Sequence, residues 1–308
     1  MKRFITLLAA AVIAALPLSA SKTVTSPADA AKQETKEYRL SGFSGLDVSW
    51  IYQVELTQSG RYGVKVEAPD FLMPYLRVEV RGGNLVLGLE ETPREIRRRI
   101  ENGGRHEVRA FVSMPDLSEL KVSGAAKVTG KGDFSSRKPF KLALSGAVNV
   151  LDLSVKASAA DIDASGAAKF SLTGKYDKMS VRLSGSVHAN VAADAKTADI
   201  GTSGAAKLSL KGTLGEVVLR ASGAANTEFN GSIEQLDAEG SGSSKLSASQ
   251  APARRAKVNF SGASNGMIDV REELSVNLSG ASRLNYHAGP GLHISQQSVS
   301  RASTLSSF

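Results

Sequence analysis

Nine serines in this chain are each followed by glycine and then by alanine or serine: Ser123, Ser145, Ser165, Ser184, Ser203, Ser222, Ser241, Ser261 and Ser279. A serine hydroxyl becomes a nucleophile only where a base stands within hydrogen-bond reach, and no histidine recurs beside these nine. Their separations are 22, 20, 19, 19, 19, 19, 20 and 18 residues. A period near 19 that persists through half a chain marks a solenoid in which each repeat is one rung. The serines are therefore read as a structural ladder along one corner, each hydroxyl bonding to a neighbouring rung or to corner backbone. The glycine implies a corner that needs positive φ or leaves no room for a Cβ, and the small residue after it implies a close neighbour.

Four residues beyond each serine runs a second row: Lys127, Asn149, Lys169, His188, Lys207, Asn226, Lys245, Asn265 and Arg283. Cationic and mostly neutral polar residues alternate along it. Lysines on successive rungs would stand about 5 Å apart and repel by roughly 0.9 kcal/mol even in water. Alternation moves them to about 10 Å, near one Debye length at moderate ionic strength. The row thus supports in-register parallel stacking, and its functional alternative is a cationic stripe that grips a polyanion.

Other chemistry is sparse. Polysaccharide-cleaving β-helices need clustered carboxylates or Ca²⁺ ligands on adjacent rungs. Here the acids are scattered, and only Asp161 with Asp163 and Asp237 with Glu239 form in-phase pairs. His106, His188, His287 and His293 offer little for a metal; His287 and His293 are placed to meet across one corner, with no cysteine and no carboxylate expected beside them. Trp50 and Tyr52 suit a carbohydrate platform or, more simply, partial burial. No catalytic, cofactor or metal residues are assigned. The densest basic cluster is Arg94, Arg97, Arg98, Arg99 and Arg105, within an insertion at 92–105. It reads either as a solvated loop or exposed helical turn, or as a contact for lipopolysaccharide, acidic glycan or a phosphate-bearing surface.

The elements that position these residues follow from the same alignment. One and three places before each serine the residues are mostly apolar, as in Leu142 and Leu144 or Val181 and Leu183, with polar residues between. That is the period-two alternation of a strand with one face inward. A second strand follows the Ser-Gly, with its apolar residue five or seven places on: Val128, Val150, Phe170, Val191, Leu208, Phe229, Leu246, Ile268 and Leu284. A coil of 19 residues and no helical period suits an all-β, parallel β-helix of two or three strands per coil; an array of separate hairpins is the alternative.

The ends complete the organisation. Met1 to Ala20 reads as a secretory signal, with Lys2 and Arg3 ahead of an apolar run from Phe4 to Leu16 and a second cleavage candidate near residue 30. That run is too short to span a bilayer. Residues 21–37 read as a flexible leader, 38–115 as an irregular β cap over the open end of the core with a short helical turn at Phe71–Leu76, and 116–308 as the β-helix. The chain has no cysteine, so neither a disulfide framework nor a lipid-modified cysteine is expected. Net charge is +8, and +6 once Lys2 and Arg3 are removed with the signal. It is spread out and not interleaved with aromatics, which argues against nucleic acid.

The order Gly42-Phe43-Ser44-Gly45-Leu46-Asp47-Val48, then Pro115-Asp116-Leu117 leading into the first rung, then Leu278-Ser279-Gly280-Ala281-Ser282 before Asn285-Tyr286, resembles the bacterial envelope family labelled putative auto-transporter adhesin, head GIN domain. The resemblance runs from about Tyr38 to the C-terminus. Its late Tyr-x-Gly-x-Pro pattern is replaced here by Tyr286-His287-Ala288-Gly289-Pro290, which reshapes that corner. The resemblance implies a right-handed β-helix-like fold at the periplasm or surface of a Gram-negative cell, and it supplies no catalytic residues. The resulting expectation is an exported, non-catalytic binding or adhesion module whose partner is an anionic envelope polymer or glycan. The alternative is a scaffold that contacts another envelope protein, and the remote one a polysaccharide-active enzyme.

Overall fold

The computed structural model describes residues 32–102 and 106–308. The proposed signal segment, residues 21–31 and Arg105 lie outside them. From Lys169 onward each repeat of 18–20 residues contributes one long strand, namely Lys169–Leu183, His188–Thr202, Lys207–Ala221, Asn226–Gly240, Lys245–Phe260 and Asn265–Leu278. Each pairs in parallel with the next along both of its halves. The first half follows the Ser-Gly corner and the second half leads into the next one. The parallel β-helix is therefore the observed architecture.

Alternation decides which side chains enter. Leu142, Ile162, Val181, Ile200, Leu219 and Val258 occupy one register column and none is more than 1% exposed. Each fully buried aliphatic chain of this size contributes about 1.5–3 kcal/mol. The apolar residues five or seven places after serine prove to be two adjacent buried columns that share volume. Where the first holds Ala189, Thr227 or Gly266, the second holds Val191, Phe229 or Ile268. Gly266 leaves space for the ring of Phe260, whose Cε2 lies 2.6 Å from where a Cβ would sit.

The N-terminal region departs from the expected chain order. Its elements are β1 (Gln33–Tyr38), β2 (Gly45–Val48), β3 (Tyr52–Gln58), β4 (Gly63–Pro69), β5 (Leu76–Arg81), β6 (Asn84–Leu89), α1 (Arg94–Asn102), β7 (Val108–Met114), β8 (Glu119–Val122) and β9 (Lys127–Lys131). A one-turn 3₁₀ helix, Met73–Tyr75, fills the short helical turn expected there. The segment β2–β3 is itself a coil, inserted in space between β6–β7 and β8–β9, with parallel pairing on both sides. Antiparallel strands finish the end: β5 on β6, β4 on β7, and β1 on β4. The flexible leader expected over 21–37 is thus ordered from Gln33 as β1. Apart from Tyr38 its side chains are exposed on both faces, so no apolar alternation announced it.

Candidate functional site

The Ser-Gly corner is held by backbone. Ser203 donates its N–H to the Leu183 carbonyl at 2.9 Å, Ala205 to Gly185 at 3.0 Å and Lys207 to Val187 at 2.8 Å; the same triplet recurs rung after rung. All nine glycines adopt φ between +67° and +87°. A Cβ on any but the first would stand 2.5–3.0 Å from backbone of the glycine below. Positive φ and crowding both apply, so glycine is required twice over. The hydroxyls contribute less: Ser165, Ser203, Ser261 and Ser279 each reach the carbonyl below at 3.4 Å, a long and weak bond.

Two further serines extend the column and were not recognised in the sequence. Ser49 donates its backbone N–H to the Leu87 carbonyl at 2.9 Å, and Ser300 its backbone N–H to the Leu278 carbonyl at 2.9 Å. In the Ser49 rung the glycine position holds Trp50 at φ 71°. Aligning on Ser49 would have revealed the rung, since Leu46, Val48, Val54 and Leu56 fall at the expected offsets.

The row four residues past serine is continuous in register and longer than the sequence showed. It runs Arg109, Gln53, Lys127, Asn149, Lys169, His188, Lys207, Asn226, Lys245, Asn265, Arg283 and Thr304, each the strand partner of the next. Lysine or arginine alternates along the row with glutamine, asparagine, histidine or threonine. Lys127, Lys169, Lys207, Lys245 and Arg283 are exposed, and among the described residues none has a carboxylate within ion-pair distance. Arg109 alone is paired, with Glu107.

The wall on the other side of the corner is arranged differently. Arg182 bridges Asp161 at 3.1 Å and Asp163 at 3.9 Å, and Arg220 bridges Asp199 at 3.0 Å and Glu239 at 3.9 Å. The in-phase pairs Asp161 with Asp163 and Asp237 with Glu239 are therefore engaged by basic side chains of neighbouring rungs. Further along that wall, Asp47 and Glu119 are displaced in opposite directions. Burial pushes the Asp47 carboxyl up, partly offset by Lys121. Burial also opposes ionisation of Glu119, but the Asn84 amide at 2.7 Å and the Lys121 ammonium at 3.1 Å hold it below its ordinary value. Glu119 is thus already occupied, while Asp47, Lys121 and Asp163 line an open groove of about 390 Å³.

The basic insertion forms a nine-residue helix, longer than a single turn. Ile96 and Ile100, one turn apart, pack against the core cluster and hold α1 on the cap. The arginines divide. Arg97 donates to the Thr92 carbonyl at 3.2 Å. The Arg99 guanidinium stacks 4.0 Å over the Phe71 ring, which His106 meets edge-on. Arg94 and Arg98 are exposed on the side away from the isoleucines. His287 does have a carboxylate nearby, contrary to expectation: Asp269 lies 3.5 Å from its Nδ1 and 2.8 Å from Arg271. His293 is on a different strand, paired with Glu273. Among the described residues no three His, Asp or Glu side chains converge as metal ligands, and no helix is long and apolar enough to cross a membrane.

Fold and surface together define a parallel β-solenoid with long polar walls. Residues 42–193 and 180–290 each match the family described as putative auto-transporter adhesin, head GIN domain, and the chain belongs to that family. The crystal structure of a putative adhesin from Parabacteroides distasonis is 15% identical, with a TM-score of 0.50 over 91% of this chain and 98% of that one. That of a putative adhesin from Parabacteroides merdae is 16% identical, with a TM-score of 0.44 over 90% and 96%. That of a putative lipid binding protein from P. distasonis is also 16% identical, with a TM-score of 0.43 over 90% and 96%. No curated protein matches the chain.

Proposed function

We propose that this is an exported, non-catalytic binding module of the cell envelope that takes its ligand along an exposed wall, not in a pocket. The observation that carries the reading is the uninterrupted polar columns, which repeat the same side-chain chemistry over successive rungs. Such a surface suits a repetitive ligand. The family's description as an adhesin head supports it, and the signal-like N-terminus supports export. Anionic envelope polymer or glycan is the ligand class in best accord with the exposed Arg94 and Arg98 and the unpaired lysine row. Retention of the mature protein on isolated envelope or lipopolysaccharide, at low salt and at about 0.5 M, tests the reading. Salt-sensitive retention supports it; no retention at either salt refutes it.

A second reading, a scaffold that contacts another envelope protein, is favoured by the far end of the stack. Among the described residues, the strands His293–Val299 and Thr304–Ser307 each have a partner on one side only, and they are largely exposed. A free strand edge accepts an added strand. Substituting Gln297 by Pro would abolish a partner captured there and leave wall binding intact.

A further inference from the structure

We infer that the column Lys127–Lys169–Lys207–Lys245–Arg283 is a track for a linear acidic polysaccharide carrying one anionic group per disaccharide, lying parallel to the solenoid axis. The inference rests on the surface-binding reading above and names its ligand.

Successive rungs stack at about 4.8 Å, so cations on every second rung stand about 9.6 Å apart and the five span roughly 38 Å. An extended pyranose advances by nearly one rung, so an acid on alternate sugars meets a cation each time. Duplex nucleic acid, with a charge every ~3.4 Å along each strand, does not fit that interval.

Avoidance of like-charge repulsion alone does not explain the column. The wall across the corner meets the same demand by neutralising Arg182 and Arg220 with carboxylates on adjacent rungs. Here the spacers Gln53, Asn149, His188, Asn226, Asn265 and Thr304 include no acid. They supply hydrogen-bonding groups where the uncharged sugar would lie. The flanking columns are also almost free of acids. On the corner side they hold Ala125, Ala147, Ala167, Ser186, Ala205 and Ala224 and their successors. On the other side Ser171, Asn190, Ser209, Ser247 and Asn285 prevail, and of the carboxylates there Glu55 pairs with Lys131 while Glu228 accepts from Asn230. Small flanks keep the cations accessible, and the hydroxyls and amides match a glycan.

The test uses the mature chain with three probes: hyaluronan, with one carboxylate per disaccharide; polygalacturonate, with one on every sugar; and vesicles containing anionic lipid. Two variants separate charge from register. Lys169→Gln with Lys207→Gln removes two cations. Lys207→Asn with Asn226→Lys keeps the net charge but places two cations on adjacent rungs. Each lost exposed contact weakens binding modestly, so the first variant should raise the Kd for hyaluronan about tenfold. The second should raise it several-fold despite its unchanged charge. Unchanged hyaluronan binding in the first variant overturns the track. Full binding by the charge-preserving variant overturns the spacing argument, as does tighter wild-type binding to polygalacturonate or to vesicles. If Arg94→Ser with Arg98→Ser abolishes binding while both column variants bind normally, this inference falls and the surface-binding reading stands. If the wild type binds no polyanion, both fall.

Discussion

Substituting Gly204 by Ala separates the two demands made on the corner glycine. At φ +69° an alanine is in the left-handed region, which costs roughly 1–2 kcal/mol. Its Cβ would also lie 3.0 Å from both the nitrogen and the oxygen of Gly185, against a normal contact of about 3.5–4.0 Å. That neighbour cannot yield freely, because Gly185 accepts the Ala205 N–H at 3.0 Å. Crowding of this kind adds about 1–2 kcal/mol, so Gly204→Ala should cost about 2–4 kcal/mol in total. Gly42, at φ +78° with nothing within 4 Å of its Cβ position, isolates the conformational part. Gly42→Ala should therefore cost only about 1–2 kcal/mol. Gly146→Ala, whose Cβ would meet the Gly124 oxygen at 2.5 Å, should exceed Gly204→Ala. The weak hydroxyl bond predicts about 0.5 kcal/mol or less for Ser203→Ala. Urea unfolding at constant slope measures all four. Gly204→Ala as stable as the wild type, or Ser203→Ala more damaging than Gly204→Ala, would refute the account of the corner.

Ile200→Ala, in the fully buried column, should lose about 2–5 kcal/mol, read from the same unfolding curves. The pH dependence of two wall carboxylates should run in opposite directions. Asp47 is raised in the fold, so its ionised form is disfavoured there; Asp47→Asn should raise Tm at pH 7, and the gain should vanish once pH falls below its unfolded value of about 3.9. Glu119 is lowered, so its contribution is present above about pH 4.3 and lost as pH falls through the folded value. Glu119→Gln should accordingly lower Tm at pH 7 and have progressively less effect on acidification. Arg94→Ser with Arg98→Ser should leave Tm within about 0.5 kcal/mol equivalents of the wild type, because neither residue packs on the core; calorimetry checks it.

The periodic part of the fold was legible because one corner recurs with the same steric requirement: glycine, a small neighbour, and apolar residues at fixed offsets. The buried columns from Leu142 to Val258 followed directly. The β2–β3 coil was hidden because Trp50 stands where the motif has glycine and because its neighbours in space, β6–β7 and β8–β9, both come later in the chain. Pairing across such separations leaves no local trace. The exposed strand β1 lacked an apolar face, and α1 lacked enough apolar residues to show more than a turn. The alternating row was visible as spacing, but its meaning depends on which cations have partners. That required seeing Arg182 and Arg220 engaged on one wall while Lys169, Lys207 and Lys245 stand free on the other.

The affinity of the mature protein for hyaluronan oligosaccharides of increasing length tests most directly whether ligand lies along the wall. Each added disaccharide brings one more carboxylate opposite one more cation, so affinity should climb stepwise until the five cations from Lys127 to Arg283 are engaged, then level off. The whole climb should collapse at about 0.5 M salt. An affinity already maximal with the shortest oligosaccharide, and indifferent to length thereafter, would place recognition in a local pocket and contradict the account.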